Sequence, residues 1–401
     1  MSHTNNARRD FLKSSVIIGA GLTMGLAAGT AYSLEPRTKI TIENIYPFFN
    51  PHQQGITSPA QHHIYFIVLD LHSQDVDEIH QMFKTWTEYS RQLTQGKNVQ
   101  TYSQNGYVPA VDTGEADSLN PYNLTLTFGV SPSFFTKLGI EKAKPAELVD
   151  LPHFPRDQLK AEFTGGDICI QACADDPQVA FHAVRNLVRV ARSEITMRWS
   201  QSGFNSFEGT DTPRNLFGFR DGTGNPQGEE LDKTVWYEGN NWLKGGSFLV
   251  VRKIQMFLET WDRTNLNEQQ HTFGRHRDSG AAYGQKKEFD PVDLDKKDAN
   301  GQPVVPEDSH MHLAHKTGLK MLRRSFSYSS GIDSRTGQFD AGLLFISYQK
   351  DPQQFITIQN KLGNIDKMNE YITHIGSGLF ACFAGVKDEN DYLGKALFEA
   401  L

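Results

Sequence analysis

The chain has 401 residues, with 40 lysines and arginines against 47 aspartates and glutamates, and a formal net charge of −7 at pH 7. This length gives room for one large or two ordinary domains with an ample core, and the acidic balance argues against a nucleic-acid-binding surface. The body of the protein contains no long apolar run, so we expect no integral membrane helix there.

Residues 1–33 are typical of a twin-arginine export signal. Arg8 and Arg9 precede an apolar stretch, residues 14–31, which is rich in Gly, Ala, Ile and Leu and ends in small residues. An N-terminal membrane anchor is the structural alternative, although the four glycines of the stretch make it a poor anchor. We therefore expect export to a periplasm or to the outside of a cell envelope. This route moves folded proteins, which suits a protein that takes up a cofactor before export.

The first half of the body predicts the order strand, helix, strand, strand, helix, strand. Runs of β-branched and aromatic residues, or of alternating apolar residues, predict strands at 63–71, 124–128, 168–172 and 195–199. Apolar residues at helical spacing predict helices at 74–93 and 177–191. Polar, Asp-rich segments at 110–119 and 286–307 predict surface loops without a chemical role.

The second half repeats this order with looser spacing. We expect strands at 248–257, 322–328, 343–348 and 379–383, and helices at 265–273 and 355–362. Two copies of a split βαβ plan imply an α+β protein with two antiparallel sheets and helices packed on them. Ser, Gly, Asn and Thr crowd together near residues 205–215, so we predict domains at 34–210 and 211–401.

Three cysteines, Cys169, Cys173 and Cys382, are expected to be buried thiols. Cys169 and Cys173 lie four positions apart on a strand-like run, hence roughly 13 Å apart by strand rise. That separation is too large for a local disulfide. A bond from either residue to Cys382 stays open.

The most informative segment is 215–226, in which Asp221 stands between an aromatic stretch and a Gly-rich loop. Phe217 and Phe219 form an apolar wall, while Gly222 and Gly224 let the backbone come close to a bulky group. The same residues are a good turn sequence. This segment alone therefore leaves two equal alternatives, a turn-forming aspartate and a proton-handling carboxylate in a pocket.

A second segment contains His310, His312 and His315, followed by the pair Arg323-Arg324 at the start of a strand-like run. Haem iron takes a neutral imidazole as its ligand. Cleavage of the peroxide O–O bond needs a group that moves a proton and a cation that stabilises the departing charge. A histidine, an acid and an arginine are therefore the minimal set for a haem peroxidase.

These two segments resemble those of the dye-decolourising peroxidase family. Gly218, Asp221 and Gly222 match its Gly-x-x-Asp-Gly signature, while residues 309–315 resemble its proximal-histidine segment and 321–324 its distal-arginine strand. The exported deferrochelatase/peroxidases that accompany bacterial iron uptake are the most similar branch, and the likeness covers most of the chain after the signal. The resemblance implies tandem ferredoxin-like domains and non-covalent haem b. It also implies a peroxidase that uses hydrogen peroxide to oxidise aromatic or porphyrin-type substrates.

The resemblance also implies roles for individual residues. His310 is the expected proximal iron ligand, Asp221 the distal acid–base group and Arg323 the distal cation, while Arg324 should point to the opposite face of its strand. The remaining expected haem-edge contacts are Gly222, Thr223, Gly224, His315, Lys316 and Thr317, although relatives usually carry Arg at position 312 and Asn-Pro at 315–316.

Two supporting contacts are expected beside these roles. The second ring nitrogen of His310 should donate to a carboxylate or a carbonyl, and Asp366 and Asp340 are the candidates. Arg275 is either a partner for a haem propionate or a solvated surface residue.

Four uses of these residues stay open. The same haem pocket serves a peroxidase, a deferrochelatase that releases iron with the porphyrin intact, or a non-catalytic haem carrier. The triplet His310-x-His312-x-x-His315 also resembles that of zinc hydrolases of the metallo-β-lactamase type. That motif needs Asp at position 314, where this chain has Ala.

We further expect association with iron-uptake permease or lipoprotein components, and a homo-oligomer.

Overall fold

The computed structural model describes residues 45–401. The predicted export signal, residues 1–33, lies outside the described residues. Among residues 45–401, no helix is both long enough and apolar enough to cross a membrane.

The N-terminal half forms a four-stranded antiparallel sheet with helices packed on it. Its elements are β1 (His63–Leu71), α1 (Val76–Leu93), β2 (Thr125–Val130), α2 (Pro132–Leu138), β3 (Ile168–Ala174), α3 (Pro177–Val190) and β4 (Ile195–Phe204). The strand order β2-β3-β1-β4 is that of a ferredoxin-like domain. Asp75 and Asp176 begin α1 and α3 because their carboxylates accept hydrogen bonds from the first free N–H groups of each helix.

The C-terminal half repeats the plan. Its elements are α4 (Glu229–Val235), β5 (Ser247–Met256), α5 (Leu258–Trp261), α6 (Leu266–Phe273), α7 (His310–His315), β6 (Leu322–Arg323), β7 (Phe326–Ile332), β8 (Phe339–Gln349), α8 (Pro352–Leu362), β9 (Ile372–Cys382) and α9 (Lys395–Phe398). The strand order β9-β5-β8-β7 is again ferredoxin-like, and β6 is a short extra partner of β8. The predicted α+β class with two antiparallel sheets and packed helices is confirmed.

The two sheets are joined at both of their edges. Gly129 and Val130 of β2 pair with β9, and Phe204 of β4 pairs with β7. The result is one continuous array of nine strands. Large side chains from both sheets, such as Phe66 and Ile346, share a buried cluster.

Several predicted strands differ from those observed. The strand β4 extends to Phe204 instead of ending at 199, and β8 begins at Phe339 instead of at 343. The run 322–328 is interrupted after Arg323, so that β6 and β7 are separate strands, although the Arg324 N–H still donates to the Ile346 carbonyl. The last strand, predicted at 379–383, begins earlier, at Ile372.

The three cysteines are free and buried, as expected. Gly129 pairs with Cys169 on one side and with Cys382 on the other. These two cysteines therefore lie two strand spacings apart, about 9.5 Å. A disulfide needs Cα atoms within about 7 Å, which excludes the Cys169–Cys382 bond left open by the sequence.

Candidate active site

A cavity of about 280 Å³ lies between the C-terminal sheet and the helices α7 and α8. A single water needs only about 10–15 Å³, so the cavity is large enough for an organic ligand. Its apolar walls come from the sheet and α8, and comprise Ile254, Met256, Leu343, Phe345, Phe355, Ile358 and Leu362. Polar residues reach it from the 215–224 loop, from α7 and from the turn before β9. An apolar cavity with a few polar groups is the usual form of a cofactor site.

Asp221 and Arg323 meet at the wall of this cavity. Asp221 Oδ1 lies 3.1 Å from an Arg323 terminal nitrogen, and the two side chains are 15% and 26% exposed. The loop that carries Asp221 turns at Gly218 and Gly222, whose φ angles of 82° and 117° favour glycine. The spacing Gly-x-x-Asp-Gly thus has a backbone reason, since both glycines shape the loop that presents the carboxylate.

Asn225 fastens this loop to β6. Its side-chain amide donates to the Arg323 carbonyl at 2.8 Å, and its oxygen accepts from the Arg323 N–H at 3.0 Å. The two bonds pair both backbone groups of Arg323, as a neighbouring strand would. The sequence does not single out Asn225, because the segment around it is equally a good turn sequence.

The two neighbouring arginines point in different directions, as expected. Arg323 lines the cavity. Arg324 is buried and donates to the carbonyls of Ser58 and Pro59 at 2.6 Å and 3.1 Å, and also to the Gln61 side chain. Arg324 therefore anchors the segment before β1, whereas Arg323 is available to a ligand.

His310 is the first residue of α7 and forms a short hydrogen bond with Asp366. The distance from His310 Nδ1 to Asp366 Oδ2 is 2.6 Å, and the Asp366 side chain is 3% exposed. The other Asp366 oxygen accepts from the Met368 N–H at 2.8 Å, which fixes the carboxylate. With Nδ1 bonded to a carboxylate, Nε2 is the nitrogen left for a metal. Of the two candidates, Asp366 rather than Asp340 is therefore the partner.

The six other expected haem-edge residues divide into two groups. Thr223, Gly224 and His315 line the cavity. Gly222, Lys316 and Thr317 are absent from its wall: Gly222 shapes the loop, Lys316 ends α7, and the Thr317 hydroxyl donates to the Ala314 carbonyl at 2.8 Å.

Arg275 is a cavity-lining cation that forms no ion pair with any residue of the described part of the chain. One of its terminal nitrogens donates to the carbonyls of Gly280 and Glu288, at 2.8 Å and 3.3 Å. Burial lowers the pKa of Arg275, and the Arg323 cation lowers it further. A half-buried guanidinium with only carbonyl partners favours an anionic group of a ligand.

The 286–307 loop, predicted to have no chemical role, reaches the site through Glu288. One Glu288 oxygen accepts from the Thr223 hydroxyl at 2.7 Å, and the other lies 3.2 Å from Arg220 Nε. Both partners belong to the loop around Asp221 and line the cavity. Nothing in the sequence of this Asp-rich segment distinguishes Glu288 from its acidic neighbours.

A buried arginine and a buried histidine, which the sequence does not single out, lie on the sheet side of the cavity. Arg252 is fully buried, pairs with the buried Asp157 and donates to the Ser377 hydroxyl at 2.9 Å. Beside it, burial and the Arg252 cation lower the pKa of His374 to about 3. His374 is therefore a neutral side chain of the cavity wall above acidic pH.

The zinc-hydrolase interpretation requires three converging histidines. His312 is 3% exposed, and neither of its ring nitrogens has a hydrogen-bond partner within residues 45–401. Over that same range, no group of three or more His, Cys, Asp or Glu side chains is arranged to hold a metal ion. The geometry therefore does not support a zinc triplet.

Comparisons with known proteins agree with the motifs. The family model for the Dyp-type peroxidase N-terminal domain matches residues 53–205, and the model for the C-terminal domain matches residues 212–387. The chain belongs to the Dyp-type peroxidase family. It is therefore a haem-dependent peroxidase by class, with haem as its cofactor.

Individual relatives of this Dyp-type peroxidase cover nearly the same length. A protein named Deferrochelatase from Yersinia pestis is 38% identical over 374 residues, which are 88% of this chain and 85% of the relative. A Deferrochelatase of Escherichia coli O6:H1 is 37% identical over 371 residues, 88% of this chain and 86% of the relative. Two solved structures match with a TM-score of 0.82, covering 88% of this chain and 97% of the other: a DyP-type peroxidase from Streptomyces coelicolor (35% identity) and ferric DtpA from Streptomyces lividans (36%).

The residues of the cavity suit haem. The His310–Asp366 pair leaves the Nε2 nitrogen of the imidazole for a metal, the walls are mainly apolar, and Arg275 has no anionic partner in the described chain. Iron, a porphyrin ring and its carboxylates require these three kinds of neighbour.

Proposed function

We propose that this enzyme reduces hydrogen peroxide at haem b bound in the cavity, with His310 as the iron ligand, Asp221 as the acid–base group and Arg323 as the distal cation. One observation carries the proposal: the His310–Asp366 pair and the Asp221–Arg323 pair line the same cavity. Bound haem supplies the redox-active iron at which peroxide reacts.

The Asp221–Arg323 pair supplies the proton and charge handling. Asp221 takes the proton from one peroxide oxygen and delivers it to the other, so that water can leave. Arg323 stabilises the negative charge that develops on the departing oxygen. Asn225 holds the backbone of Arg323 and so keeps the guanidinium beside Asp221.

The His310–Asp366 pair sets the character of the iron ligand. Asp366 accepts a hydrogen bond from the Nδ1–H of His310, which fixes the tautomer and makes Nε2 a stronger electron-pair donor to a metal. Thr223, Gly224, His315 and Arg275 line the cavity. The first three would contact the porphyrin edge, and Arg275 would pair with one of the porphyrin carboxylates. Gly222, Lys316 and Thr317 act on the porphyrin edge indirectly, through the shape of the loop and the end of α7.

The test of these roles is Asp221→Asn compared with the wild type at equal haem occupancy. The amide keeps the size of the side chain but cannot accept the proton, so we expect peroxide-dependent dye oxidation to fall by about 10²- to 10⁴-fold. Asp262→Asn is the matched control, because Asp262 is exposed, does not line the cavity and forms no ion pair within residues 45–401. An Asp221→Asn enzyme as fast as the Asp262→Asn enzyme would remove Asp221 from the mechanism.

The second candidate activity is release of iron from haem with the porphyrin intact. The full-length relatives named Deferrochelatase favour it, and we propose that haem is both cofactor and substrate in this chain. Incubation of the enzyme with haemin and a reductant, without peroxide, should then give chelatable iron and fluorescent free porphyrin in equal amounts. Iron that appears without porphyrin fluorescence would indicate breakdown of the ring instead.

We further propose that residues 1–33 direct export by the twin-arginine route, and that the enzyme works as a homo-oligomer beside iron-uptake permease or lipoprotein components. Replacing Arg8 and Arg9 together by lysine should retain the protein in the cytoplasm with haem still bound. Fractionation of cells that express both forms tests this localisation, and unchanged export of the double variant would contradict it.

A further inference from the structure

Glu288 occupies a packed position between two loops of the site. Its side chain is 10% exposed and contacts Arg220 and Thr223. Gly280 makes room for it: a Cβ at this glycine would lie 2.9 Å from Arg220 Cδ and 3.2 Å from Glu288 Cγ. The contact is therefore a built feature of the fold, in which a carboxylate lies directly behind two residues of the cavity wall.

Three arginines lie at this end of the cavity, and the nearby carboxylates differ in how close and how exposed they are. Arg220, Arg275 and Arg323 all line it. Asp221 pairs with Arg323. Glu288 pairs with Arg220 at 3.2 Å, and the mostly exposed Asp211 lies farther from Arg220, at 3.9 Å. Arg275 has backbone carbonyl partners, one of them the carbonyl of Glu288 itself. Glu288 is thus the closer and less exposed of the two carboxylates beside Arg220, and its charge also acts on Arg275, so it reduces the attraction of both arginines for an anion.

We propose that Glu288 competes with the carboxylates of a bound porphyrin for Arg220 and Arg275, and so speeds the release of haem and of iron-free porphyrin. This inference rests on the proposed function, since it takes the cavity as the haem site. A negative charge beside two cations weakens their hold on a second anion, and weakly screened sites such as this one feel the effect most. A site that consumes haem must also release porphyrin, which such a competitor assists.

Glu288→Gln tests the inference directly. Glutamine has nearly the same shape and keeps an oxygen to accept from Thr223, but it removes the charge. The enzyme is loaded with haemin and mixed with excess apomyoglobin, and the change of the Soret band gives the rate of haem loss. We expect loss from Glu288→Gln to be about tenfold slower than from the wild type. Asp295→Asn, which removes an exposed carboxylate from the same loop, should leave the rate unchanged.

Two further probes separate charge from loop packing. Iron-free protoporphyrin IX has the same carboxylates without an iron–His310 bond, so its release should slow by a similar factor. Haemin dimethyl ester has no carboxylate charge, so wild type and Glu288→Gln should release it at equal rates. Arg220→Gln is the independent variant, from which haemin should leave faster than from the wild type while the ester leaves at the same rate.

Three results would overturn the inference: equal or faster haemin loss from Glu288→Gln, a persistent difference with the dimethyl ester, or haemin loss from Arg220→Gln that is no faster than from the wild type. Faster loss from Glu288→Gln would mean that Glu288 mainly fastens the two loops. Failure of the proposed function itself looks different, because the wild type would then take up no haemin at all.

Discussion

Replacement of Asp366 by Asn is the sharpest test of how the iron ligand is prepared. Asp366 accepts from His310 Nδ1 at 2.6 Å and from the Met368 N–H at 2.8 Å, and its side chain is 3% exposed. The asparagine oxygen can keep the bond from Met368. Its NH₂ group then faces Nδ1 and favours the tautomer in which Nε2 carries the proton, which cannot bind iron.

The expected loss of affinity for haemin follows from the strength of the His310–Asp366 hydrogen bond that the substitution removes. A hydrogen bond to a charged, buried carboxylate contributes about 1.5–3 kcal/mol, and loss of a partner behind a metal-binding histidine costs about 10–100-fold in affinity or activity. That range of affinity corresponds to about 1.4–2.8 kcal/mol, so the two estimates agree. We expect the Kd for haemin to rise by about 10–100-fold in Asp366→Asn.

The assay is a haemin titration followed by quenching of tryptophan fluorescence, with the Soret band recorded at saturation. Asp308→Asn is the control: this carboxylate precedes His310 by two positions, is 42% exposed and lies 3.0 Å from His271 rather than from His310. The control should bind haemin as the wild type does. A Kd for Asp366→Asn within about twofold of the wild-type value, far below the range expected here, would refute the reasoning.

Two other predictions concern the loop and the buried histidine. Asn225→Leu removes both hydrogen bonds to the Arg323 backbone, so we expect the free energy of unfolding to fall by about 1–3 kcal/mol. The reaction with peroxide, measured by stopped-flow, should be slower, while the affinity for haemin should stay unchanged. An unaltered rate would show that the Asn225 side chain does not position Arg323. Burial lowers the pKa of His374 from 6.5 to about 3. Because the pKa of His374 is lower in the folded than in the unfolded state, unfolding takes up a proton when the pH lies between about 3 and 6.5. The free energy of unfolding therefore decreases as the pH falls through this range, and the loss is about 2 kcal/mol at pH 5. His374→Gln should lose less stability than the wild type between pH 7 and pH 5 in urea unfolding, and equal losses would contradict the assignment.

Local sequence patterns are sufficient to predict an element when one of its faces is buried. The first strand was predicted at 63–71 and is observed at His63–Leu71, because its β-branched and aromatic residues have no competing signal. The start of β9 was missed since Thr373, His374 and Ser377 resemble a polar loop. These polar residues are buried because the fold brings Arg252 and Asp157 to some of them, which no local pattern reveals.

In the candidate site, too, local sequence patterns identify some residues but not the tertiary contacts between them. His310, Asp221 and Arg323 stand in recognisable motifs, and the geometry brings all three to one cavity. The partner of His310 could be narrowed to two aspartates, but the choice of Asp366 depends on tertiary contacts between α7 and the turn before β9. Glu288 lies in a loop of similar acidic residues, and only the approach of two distant loops distinguishes it.

The most direct test of the central claim is the absorption spectrum of the protein reconstituted with haemin, before and after peroxide, for the wild type, His310→Ala and His315→Ala. His315 is the control because it lies on the same short helix and also lines the cavity. The account predicts a Soret band that shifts with peroxide in the wild type and in His315→Ala, and a weak, unresponsive band in His310→Ala. A His310→Ala protein with the wild-type band and the wild-type response to peroxide would contradict it.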